Sequence, residues 1–285
     1  MKSKKLIQSA VFSLFAFSAG SAMAVPVLWE SNFGDEITDL SGEDDEISNV
    51  SLSFLFPFAG DTYSDFAVGT NGGVQALDNA GLAGNDDDID YDLWADLDEF
   101  LGDGSPLFTP FNTDLSLEDS GSIHFNDFGD RAVFTWNEVG SALNPDHLAS
   151  FQLQLLDIGQ IIFSYNGIFD DAGESLFDSL DEGIVTGISA GDFGPNSLVD
   201  LSVGDNTGAS TVFEQWCFDS ADSCDQFTGA SNDFFDLDQM SLVFSPNSSG
   251  GFNVSAQANS VSAPSMAVIV ALSYLTFLRR RSNKP

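Results

Sequence analysis

The chain has 285 residues, 43% of them hydrophobic, and carries 44 acidic residues against eight basic ones. Every Asp and Glu lies between positions 25 and 260, where Arg131 is the only basic residue; a field this negative repels nucleic acid and anionic membrane surfaces, which excludes both as partners of this region. The 27 Phe and 4 Trp residues supply ample core material, which excludes a disordered acidic chain.

The N-terminus has the three parts of a secretory signal peptide. Lysines stand among the first five residues, an apolar run extends from Leu6 to Phe17, and small residues follow at Ala22 and Ala24. The basic start stays on the cytoplasmic face, the apolar run enters the translocon, and the small side chains fit signal peptidase. We predict cleavage after Ala24, so that residues 1–24 are removed. The alternative is an amphipathic first helix of the domain.

Short strand patterns separated by turn residues follow from Val50. In the first one, Leu52, Phe54 and Phe56 share one face. Asn71-Gly72 and Asp157 to Gly159 predict tight turns with positive φ, and a short helix is predicted around Asp92 to Phe100. The pattern predicts an all-β fold, an antiparallel β-sandwich with short helical or irregular insertions. Further strands are predicted at Phe66–Thr70, Ser122–Phe125, Ala132–Trp136, Ser150–Leu156, Gln160–Tyr165, Ile184–Ser189, Leu198–Val203 and Met240–Phe244.

Several of these motifs resemble nidogen-like (NIDO) domains. The segment Phe54 to Tyr63, followed by Val68-Gly69-Thr70-Asn71-Gly72, is similar to the family's opening, which has alternating aromatics, a Gly-x-x-Tyr turn and a Val-x-x-Asn-Gly strand end. Similar later elements occur in the family's order at Leu93–Asp98, Val133–Val139, Phe151–Leu155, Gly159–Tyr165 and Gly187–Ser189. The departures are an acidic insert at Asn85–Asp92 and a long stretch at Gly102–Ser120.

The resemblance implies a nidogen-like β-sandwich domain at residues 25–191, followed by a β-rich C-terminal extension at 192–260. NIDO-type domains occur in extracellular matrix and adhesion proteins and have no established catalytic role. The resemblance therefore implies a binding or structural function outside the cell.

An acidic segment suggests calcium as a cofactor. Asp86, Asp88, Asp90 and Asp92 stand at alternate positions, which an extended strand would point the same way. Calcium takes several oxygen ligands at about 2.3–2.6 Å and would relieve the repulsion within this row, as would high salt by screening. The pattern is not an EF-hand, because Tyr91 occupies the glycine position. A solvated acidic loop is the alternative, for this segment and for a second acidic group at Glu43-Asp44-Asp45-Glu46.

Cys217 and Cys224 are the only cysteines in the chain. Export favours a disulfide between them, closing a small loop. A reactive thiol or half of a metal site is the alternative, which the lack of a neighbouring histidine or basic residue disfavours.

We predict no catalytic residues. Gly187-Ile188-Ser189-Ala190-Gly191 matches Gly-x-Ser-x-Gly, but the following residues cannot begin the helix that a nucleophile elbow needs, and both histidines precede the serine. His124 and His147 are predicted to be structural, and Arg131 to pair with the adjacent Asp130. Carboxylates are plentiful enough for a glycosidase, so a secreted polysaccharide hydrolase stays as the alternative.

The C-terminus has three parts that mirror a sorting signal. Val261-Ser262-Ala263-Pro264-Ser265 precedes an apolar run from Met266 to Leu278, and Arg279-Arg280-Arg281 follows. The arginines should stay cytoplasmic, and at about 1.5 Å per residue the run reaches only about 20 Å, short of the ~30 Å hydrocarbon core. This suits a temporary stop better than a permanent anchor.

This layout resembles the PEP-CTERM sorting signal of Gram-negative exopolysaccharide producers, which an exosortase, a membrane cysteine protease-transpeptidase, reads. The family's Pro-Glu-Pro core appears here as Ser262-Ala263-Pro264, which keeps the second proline. The resemblance implies an exosortase-like enzyme as a partner, transient inner-membrane anchoring and release to the cell surface or matrix of a Gram-negative bacterium. An ordinary single-span tail anchor is the alternative.

Together these features predict a non-catalytic secreted or cell-surface protein of the extracellular matrix or biofilm. Its expected ligands are exopolysaccharide or other surface proteins, with calcium as a candidate cofactor. The alternative is the secreted polysaccharide hydrolase.

Overall fold

The computed structural model describes residues 27–77, 97–102, 104–142, 145–146, 148–168, 183–216 and 235–259. Within these ranges the chain forms two packed sheets, one of nine strands and one of seven, which confirms the predicted all-β sandwich. Apart from a parallel contact between β12 and β14, the strand pairs are antiparallel. A short 3-10 helix at Thr38–Leu40 and α1 at Leu97–Gly102 are the helical elements of the described residues.

The nine-stranded sheet has the spatial order β1-β7-β8-β9-β10-β15-β16-β13, with β6 paired to β8. Its strands are β1 Asp35–Glu36, β6 Leu115–Ser116, β7 Ser122–Asp127, β8 Arg131–Ser141, β9 Leu148–Leu156, β10 Ile161–Tyr165, β13 Asp205–Asn206, β15 Met240–Pro246 and β16 Phe252–Ala258.

The seven-stranded sheet has the order β12-β14-β11-β5-β4-β3-β2. Its strands are β2 Ile47–Phe58, β3 Asp61–Gly69, β4 Val74–Ala76, β5 Leu107–Asn112, β11 Ile184–Ser189, β12 Asn196–Leu198 and β14 Thr211–Trp216. Both sheets contain strands from residues beyond Gly191: β14 pairs with β11, and β15 pairs with β10.

The core between the sheets is rich in aromatic residues, as the 27 Phe residues predict. Phe66 of the seven-stranded sheet meets Phe134 of the other sheet with ring centroids 6.4 Å apart. Trp136 stacks on Phe151 at 4.9 Å. Large rings bury much apolar area and favour edge-to-face or offset contacts, so the Phe66–Phe134 pair joins the two layers and the Trp136–Phe151 pair joins neighbouring strands of one sheet.

All the predicted strands except Leu198–Val203 correspond to strands of the structure. Ile184–Ser189 is reproduced residue for residue as β11, and the predicted turns have left-handed glycines, Gly72 at φ 83° and Gly159 at φ 79°. Of the helix predicted around Asp92 to Phe100, α1 lies at Leu97–Gly102, and residues 92–96 lie outside the described ranges.

The strand predicted at Leu198–Val203 is wrong. β12 ends at Leu198, and residues 201–203 form a turn. The buried carboxylate of Glu214 accepts a hydrogen bond from the Leu201 backbone N at 2.7 Å, and Gly204 adopts φ 79°. These contacts bend the chain where its apolar residues alone favour an extended strand.

The stretch Gly102–Ser120, which departs from the family pattern, contains β5 and β6. β5 lies inside the seven-stranded sheet between β4 and β11, and all six of its residues are buried. Pro110 lies inside this run, and a proline within a run argues against a strand, which explains why the pattern missed it. The strands β4, β14 and β16 were also missed.

Candidate functional site

Many of the residues singled out by the sequence lie outside the described ranges. They are the signal peptide with Ala22 and Ala24, the acidic row Asp86, Asp88, Asp90 and Asp92, His147, the pair Cys217 and Cys224, and the tail from Val261 to Arg281. Their predicted roles stay predictions. Among the described residues, no helix has the length and apolar character needed to cross a membrane.

Arg131 does not pair with Asp130 as expected. Its guanidinium forms an ion pair with the Glu30 carboxylate at 2.7 Å, with both side chains largely buried, and it lies 4.5 Å from the ring centroid of Phe128. The N-terminal segment carries Glu30 across the nine-stranded sheet. This long-range contact therefore replaces the local pair.

Three carboxylates meet at one end of the sandwich. Oxygen atoms of Asp44, Asp45 and Asp114 all lie within 4.8 Å of one another. Asp44 and Asp45 belong to the second acidic group of the sequence, and a β-bridge between Asp44 and Ser116 brings that group beside the residue that precedes β6. The sequence interval of about 70 positions between Asp45 and Asp114 hid this contact.

A buried amide holds the cluster in place. Asn71, at the predicted Asn-Gly turn, donates from Nδ2 to Asp45 Oδ1 at 3.0 Å and accepts from the Leu115 N at 2.8 Å. One side chain thus links the β3–β4 turn to both acidic segments. Asp45 itself adopts φ 51°, a left-handed conformation that Asn and Asp tolerate better than most residues.

The electrostatics of this acidic cluster disfavour three negative charges. Burial raises the pKa of Asp114 to about 6, and the carboxylates of Asp44 and Asp45 add to the rise. Burial also raises the pKa of Asp44, with Asp45 adding to that rise and a hydrogen bond from Ser116 opposing it. Asp44 Oδ1 is buried and accepts no hydrogen bond from the described residues. A hard cation would satisfy that oxygen and neutralise the cluster, since oxygen ligands are what calcium prefers.

A cleft of about 680 Å³ opens at the opposite end of the sandwich. It lies where the β2–β3, β9–β10 and β15–β16 turns meet the end of β11 and the start of β14. Turns from both sheets build it, so the sandwich positions its walls rigidly. The lining residues are Pro57, Phe58, Ala59, Gly60, Asp61, Thr62, Ile158, Gly159, Ala190, Asp192, Ser210, Pro246, Asn247, Gly250, Gly251 and Phe252.

This end cleft has an apolar floor and an acidic rim. Phe58 and Phe252 are both buried and stack with centroids 5.8 Å apart, joining the two sheets at the floor. On the rim, Ile158 is 65% exposed, and the side chains of Asp61 and Asp192 are exposed. No basic residue lines the cleft. Neutral or cationic ligands therefore suit it better than anions.

The Gly-x-Ser-x-Gly segment has no nucleophile geometry. Ser189 is fully buried at the end of β11, and its hydroxyl accepts a hydrogen bond from the Gly191 N at 3.1 Å. Bends rather than a helix follow at 191–193. His124, on β7, lies 2.8 Å through Nε2 from the Ser122 hydroxyl, in keeping with its predicted structural role.

Sequence reasoning missed the residues of the end cleft and Asp114. Asp61 and Asp192 stand in turns among many other acidic residues, so nothing in the local pattern distinguishes them. The signal that could have found Asp61 is the turn Ala59-Gly60, where both residues adopt positive φ and set the acid at the head of β3.

A family model described as NIDO related matches residues 17–224, which covers most of the chain. No curated protein and no solved structure gives a significant match. The family match agrees with the two-sheet architecture, and it indicates an extracellular or surface domain. The chain belongs to the NIDO-related family.

Proposed function

We propose that this protein is a non-catalytic binding protein of the extracellular matrix or cell surface, and that the end cleft holds its ligand. The cleft carries the proposal, because a volume of about 680 Å³ lies within the range of roughly 300–1,000 Å³ typical of ligand sites. An apolar floor with a few polar groups at the rim is the usual composition of such sites. A segment of exopolysaccharide or of another surface protein is the expected occupant.

Blocking the end cleft tests this function while the ligand is still unidentified. Ser210 lines the cleft, and Ser210→Trp would fill it with an indole. Ser249→Trp is the matched control, because Ser249 is exposed in the β15–β16 turn and does not line the cleft. We expect binding to immobilised dextran, curdlan or chitosan oligosaccharides, measured by surface plasmon resonance, to fall at least tenfold for Ser210→Trp alone.

Equal binding by both variants would place the ligand elsewhere on the surface. If none of the three glycans binds the wild-type protein, the exopolysaccharide ligand is wrong and a protein ligand takes its place. Binding of surface proteins of the producing cell to Ser210→Trp and to Ser249→Trp is then compared in the same way.

A polysaccharide hydrolase is the second candidate, favoured by one observation: the carboxyl groups of Asp61 and Asp192 line the same cleft. Glycosidases use such a pair on either side of the scissile bond. Release of reducing ends from the three glycans, lost in both Asp61→Asn and Asp192→Asn, would establish the hydrolase and overturn the non-catalytic function. Binding without release of reducing ends supports the binding protein.

We further propose that calcium supports the fold through the acidic cluster of Asp44, Asp45 and Asp114. The support is the closeness of the three carboxylates and the buried, unpartnered Asp44 Oδ1. Thermal melts in EDTA, in calcium and in ionic-strength-matched sodium chloride test it. We expect a rise in Tm specific to calcium, absent in Asp114→Asn and retained in Asp119→Asn, whose acid is exposed nearby.

Equal rises in calcium and sodium chloride would mean that the salt only screens the acidic surface. A calcium-specific rise that survives Asp114→Asn would move the site to another acidic segment, such as Asp86, Asp88, Asp90 and Asp92. Both outcomes count against calcium at the acidic cluster.

Export and sorting complete the proposal. Signal peptidase would remove residues 1–24, and an exosortase-like enzyme would process the tail that begins at Val261, leaving the protein at the surface or in the matrix of a Gram-negative cell. Intact-mass measurement of the protein from a wild-type strain and from an exosortase-deficient strain tests this. The mature form should lack Met266 to Pro285 in the first strain alone, and the same uncleaved mass in both would refute the sorting role.

A further inference from the structure

The first described residues form a strap across the outer face of the nine-stranded sheet, without helix or strand and with bends at positions 28, 29 and 31. We call Val27–Asn32 the strap. It crosses β10, β9, β8 and β7 in turn, where Leu28 accepts from Ser164, Glu30 meets Gln152 and Arg131, and Asn32 accepts from Asn126. β1 then continues the chain as a paired strand at the edge of the sheet.

Side chains of the sheet hold the strap mainly through hydrogen bonds to the backbone of the strap. Gln154 Nε2 donates to the carbonyl oxygens of Val27 and Leu28, both at 3.0 Å, and the Ser164 hydroxyl donates to the Leu28 carbonyl as well. Gln152 forms two bonds with one residue, accepting from the Glu30 N at 2.9 Å and donating to the Glu30 O at 2.8 Å. This two-point contact imitates the pairing of neighbouring strands, with a side-chain amide in place of a peptide group.

These polar side chains belong to a groove on the outer face of the sheet. Gln152 and Gln154 alternate along β9 with Phe151, Leu153 and Leu155, which face the core between the sheets, so the glutamines point the other way. Both glutamines and Ser164 are fully buried. Buried amides and hydroxyls need partners, and the strap's carbonyl groups supply them.

Apolar residues of the same face are buried too. Val133, Ile162 and Val243 lie on β8, β10 and β15 and have little or no exposure, yet they do not belong to the clusters packed between and around the sheets. The outer face therefore combines an apolar surface with donors aimed at a peptide backbone. That is the composition of a groove for a polypeptide segment.

One contact gives the groove side-chain specificity. Arg131, the only basic residue between positions 25 and 260, binds the Glu30 carboxylate at 2.7 Å. The two side chains are 17% and 13% exposed, so the pair is largely withdrawn from water and is selective for an acidic residue at that position.

We propose that this strap groove is a receptor for a polypeptide segment with a carboxylate at the position of Glu30, and that its partner in the matrix is the strap of a second copy of this chain. Once signal peptidase has removed residues 1–24, as proposed above, the chain beyond Asn32 connects the strap to the sheet, and side chains rather than strand pairing hold it there. Exchange between copies is then a low-cost route to assembly. The strap of a neighbouring molecule offers the same carbonyl groups and the same Glu30. Exchange of straps links copies without any new contact.

Charge sets the condition for exchange. Each copy is strongly acidic, so two copies repel at low ionic strength, and salt or calcium that screens the repulsion favours exchange. While the strap remains tethered, its high local concentration favours its own groove. Crowding of copies at a surface offsets that preference.

A cleavable strap tests the groove in the full chain. A protease site inserted after Asn32 lets the protein fold with its strap bound and then frees the strap by cutting. We expect a fluorescent peptide of residues 25–32 to enter the cut protein, measured by fluorescence anisotropy, and to bind the uncut protein at least tenfold more weakly. A folded, cut protein that does not take up the peptide would overturn the proposal.

Exchanging the charges of the Glu30–Arg131 pair distinguishes specific recognition of the strap from non-specific binding. The Glu30→Arg peptide should bind the cut wild-type protein at least tenfold more weakly than the natural peptide, and the Arg131→Glu protein should reverse that preference. If the swapped pair does not recover, the groove does not read the strap as proposed. A protein that simply lacks residues 25–32 and folds, as judged by circular dichroism, provides the same measurement without proteolysis.

Exchange of straps between copies is tested separately, and this part of the proposal rests on the proposed matrix function. Two differently tagged full-length copies, mixed in 1 M sodium chloride or in calcium, should form mixed dimers that co-purify and that Arg131→Glu prevents. Peptide binding without mixed dimers keeps the groove but overturns the second copy as its partner. Failure of glycan binding at the end cleft, by contrast, leaves both results intact.

Discussion

The indole Nε1 of Trp136 donates a hydrogen bond to the Gly69 carbonyl oxygen at 3.1 Å, which ties β8 in one sheet to the end of β3 in the other. Both residues are fully buried, and Trp136 also stacks on Phe151. The bond therefore fixes the distance between the layers next to the turn that carries Asn71. The end of the sandwich with the acidic cluster depends on this contact.

Trp136→Phe should lower the free energy of unfolding by about 2 kcal/mol or more, because it leaves a cavity and removes a buried donor. Trp216→Phe is the matched control. Trp216 is equally buried, but its Nε1 has no hydrogen-bond partner among the described residues. We expect the control to cost about 1 kcal/mol less in urea denaturation. Equal losses would mean that the Trp136 bond contributes nothing beyond packing.

Alanine variants of Gly72 and Gly129 distinguish the cost of a left-handed backbone from the cost of a steric clash. Gly72 adopts φ 83°, and a Cβ there would lie 2.0 Å from the Phe111 carbonyl oxygen. Gly129 has a similar φ of 90° with nothing within 4 Å of the added atom. Gly129→Ala should cost about 1 kcal/mol from the left-handed conformation alone, and Gly72→Ala about 2–4 kcal/mol because the neighbouring strand must move. Matching unfolding midpoints for the two variants would contradict the close approach.

The raised pKa of Asp114 predicts a pH dependence in the metal-free protein. The folded state holds a proton on this carboxyl up to about pH 6, whereas the unfolded chain releases it near the ordinary value of 3.8. The folded state therefore binds more protons between these values, and its stability falls as the pH rises through them. Well above pH 6, the stability has lost the whole contribution of Asp114 protonation.

In EDTA, the Asp114→Asn variant should consequently be as stable as the wild type near pH 4. At pH 7 its free energy of unfolding should be higher by about 1 kcal/mol, a value reduced to allow for solvent screening of this partly exposed carboxyl. Thermal melts at the two pH values give the difference directly. Asp119→Asn, an exposed neighbour, should show a much smaller change. A variant that gains nothing at pH 7 would show that the Asp114 carboxyl is not strained by its surroundings.

The pKa of Asp65 is shifted in the direction opposite to that of Asp114. The Asp65 carboxylate accepts hydrogen bonds from the Ser51 hydroxyl at 2.5 Å and the Ser64 hydroxyl at 2.8 Å, and these hold the pKa of Asp65 below its ordinary value. Ser51→Ala should raise that pKa more than Ser64→Ala, since the Ser51 bond is the larger cause. Titration of the Asp65 carboxyl by NMR measures both.

Ser53→Ala is the control for this titration, because Ser53 bonds to Asp127 instead. The pKa of Asp65 should not change in that variant. Since Asp65 is only partly buried, we expect no measurable change in Tm from any of the three substitutions. A pKa that stays low in Ser51→Ala would assign the shift to some other neighbour.

Local pattern was enough for the fold class and for most of its half-buried strands. Leu52, Phe54 and Phe56 alternate with polar residues, and Gly72 and Gly159 stand where tight turns require positive φ. Both signals act over a few residues, because the side-chain period of a strand and the conformational freedom of glycine are local properties. The NIDO resemblance was recognised from motifs of the same kind.

The arrangement of charged groups could not be predicted in this way. Arg131 lies beside Asp130 in sequence but binds Glu30, and Asp114 joins Asp44 and Asp45 through a bridge between distant segments. Such contacts depend on which strands become neighbours and in which register, and a single acidic sequence offers many equivalent partners. The missed strand β5 shows a related limit, since Pro110 in its middle argues against a strand and only pairing with β4 and β11 gives it its place.

The sequence by itself therefore determined an acidic, aromatic-rich, all-β chain, and it predicts export and sorting signals at the two ends. The tertiary structure decided which turns meet to form the end cleft, which carboxylates share the acidic cluster, and which face of the sheet the strap covers. The reason is physical: composition and short-range periodicity act along the chain, whereas binding sites arise where packing brings distant segments together.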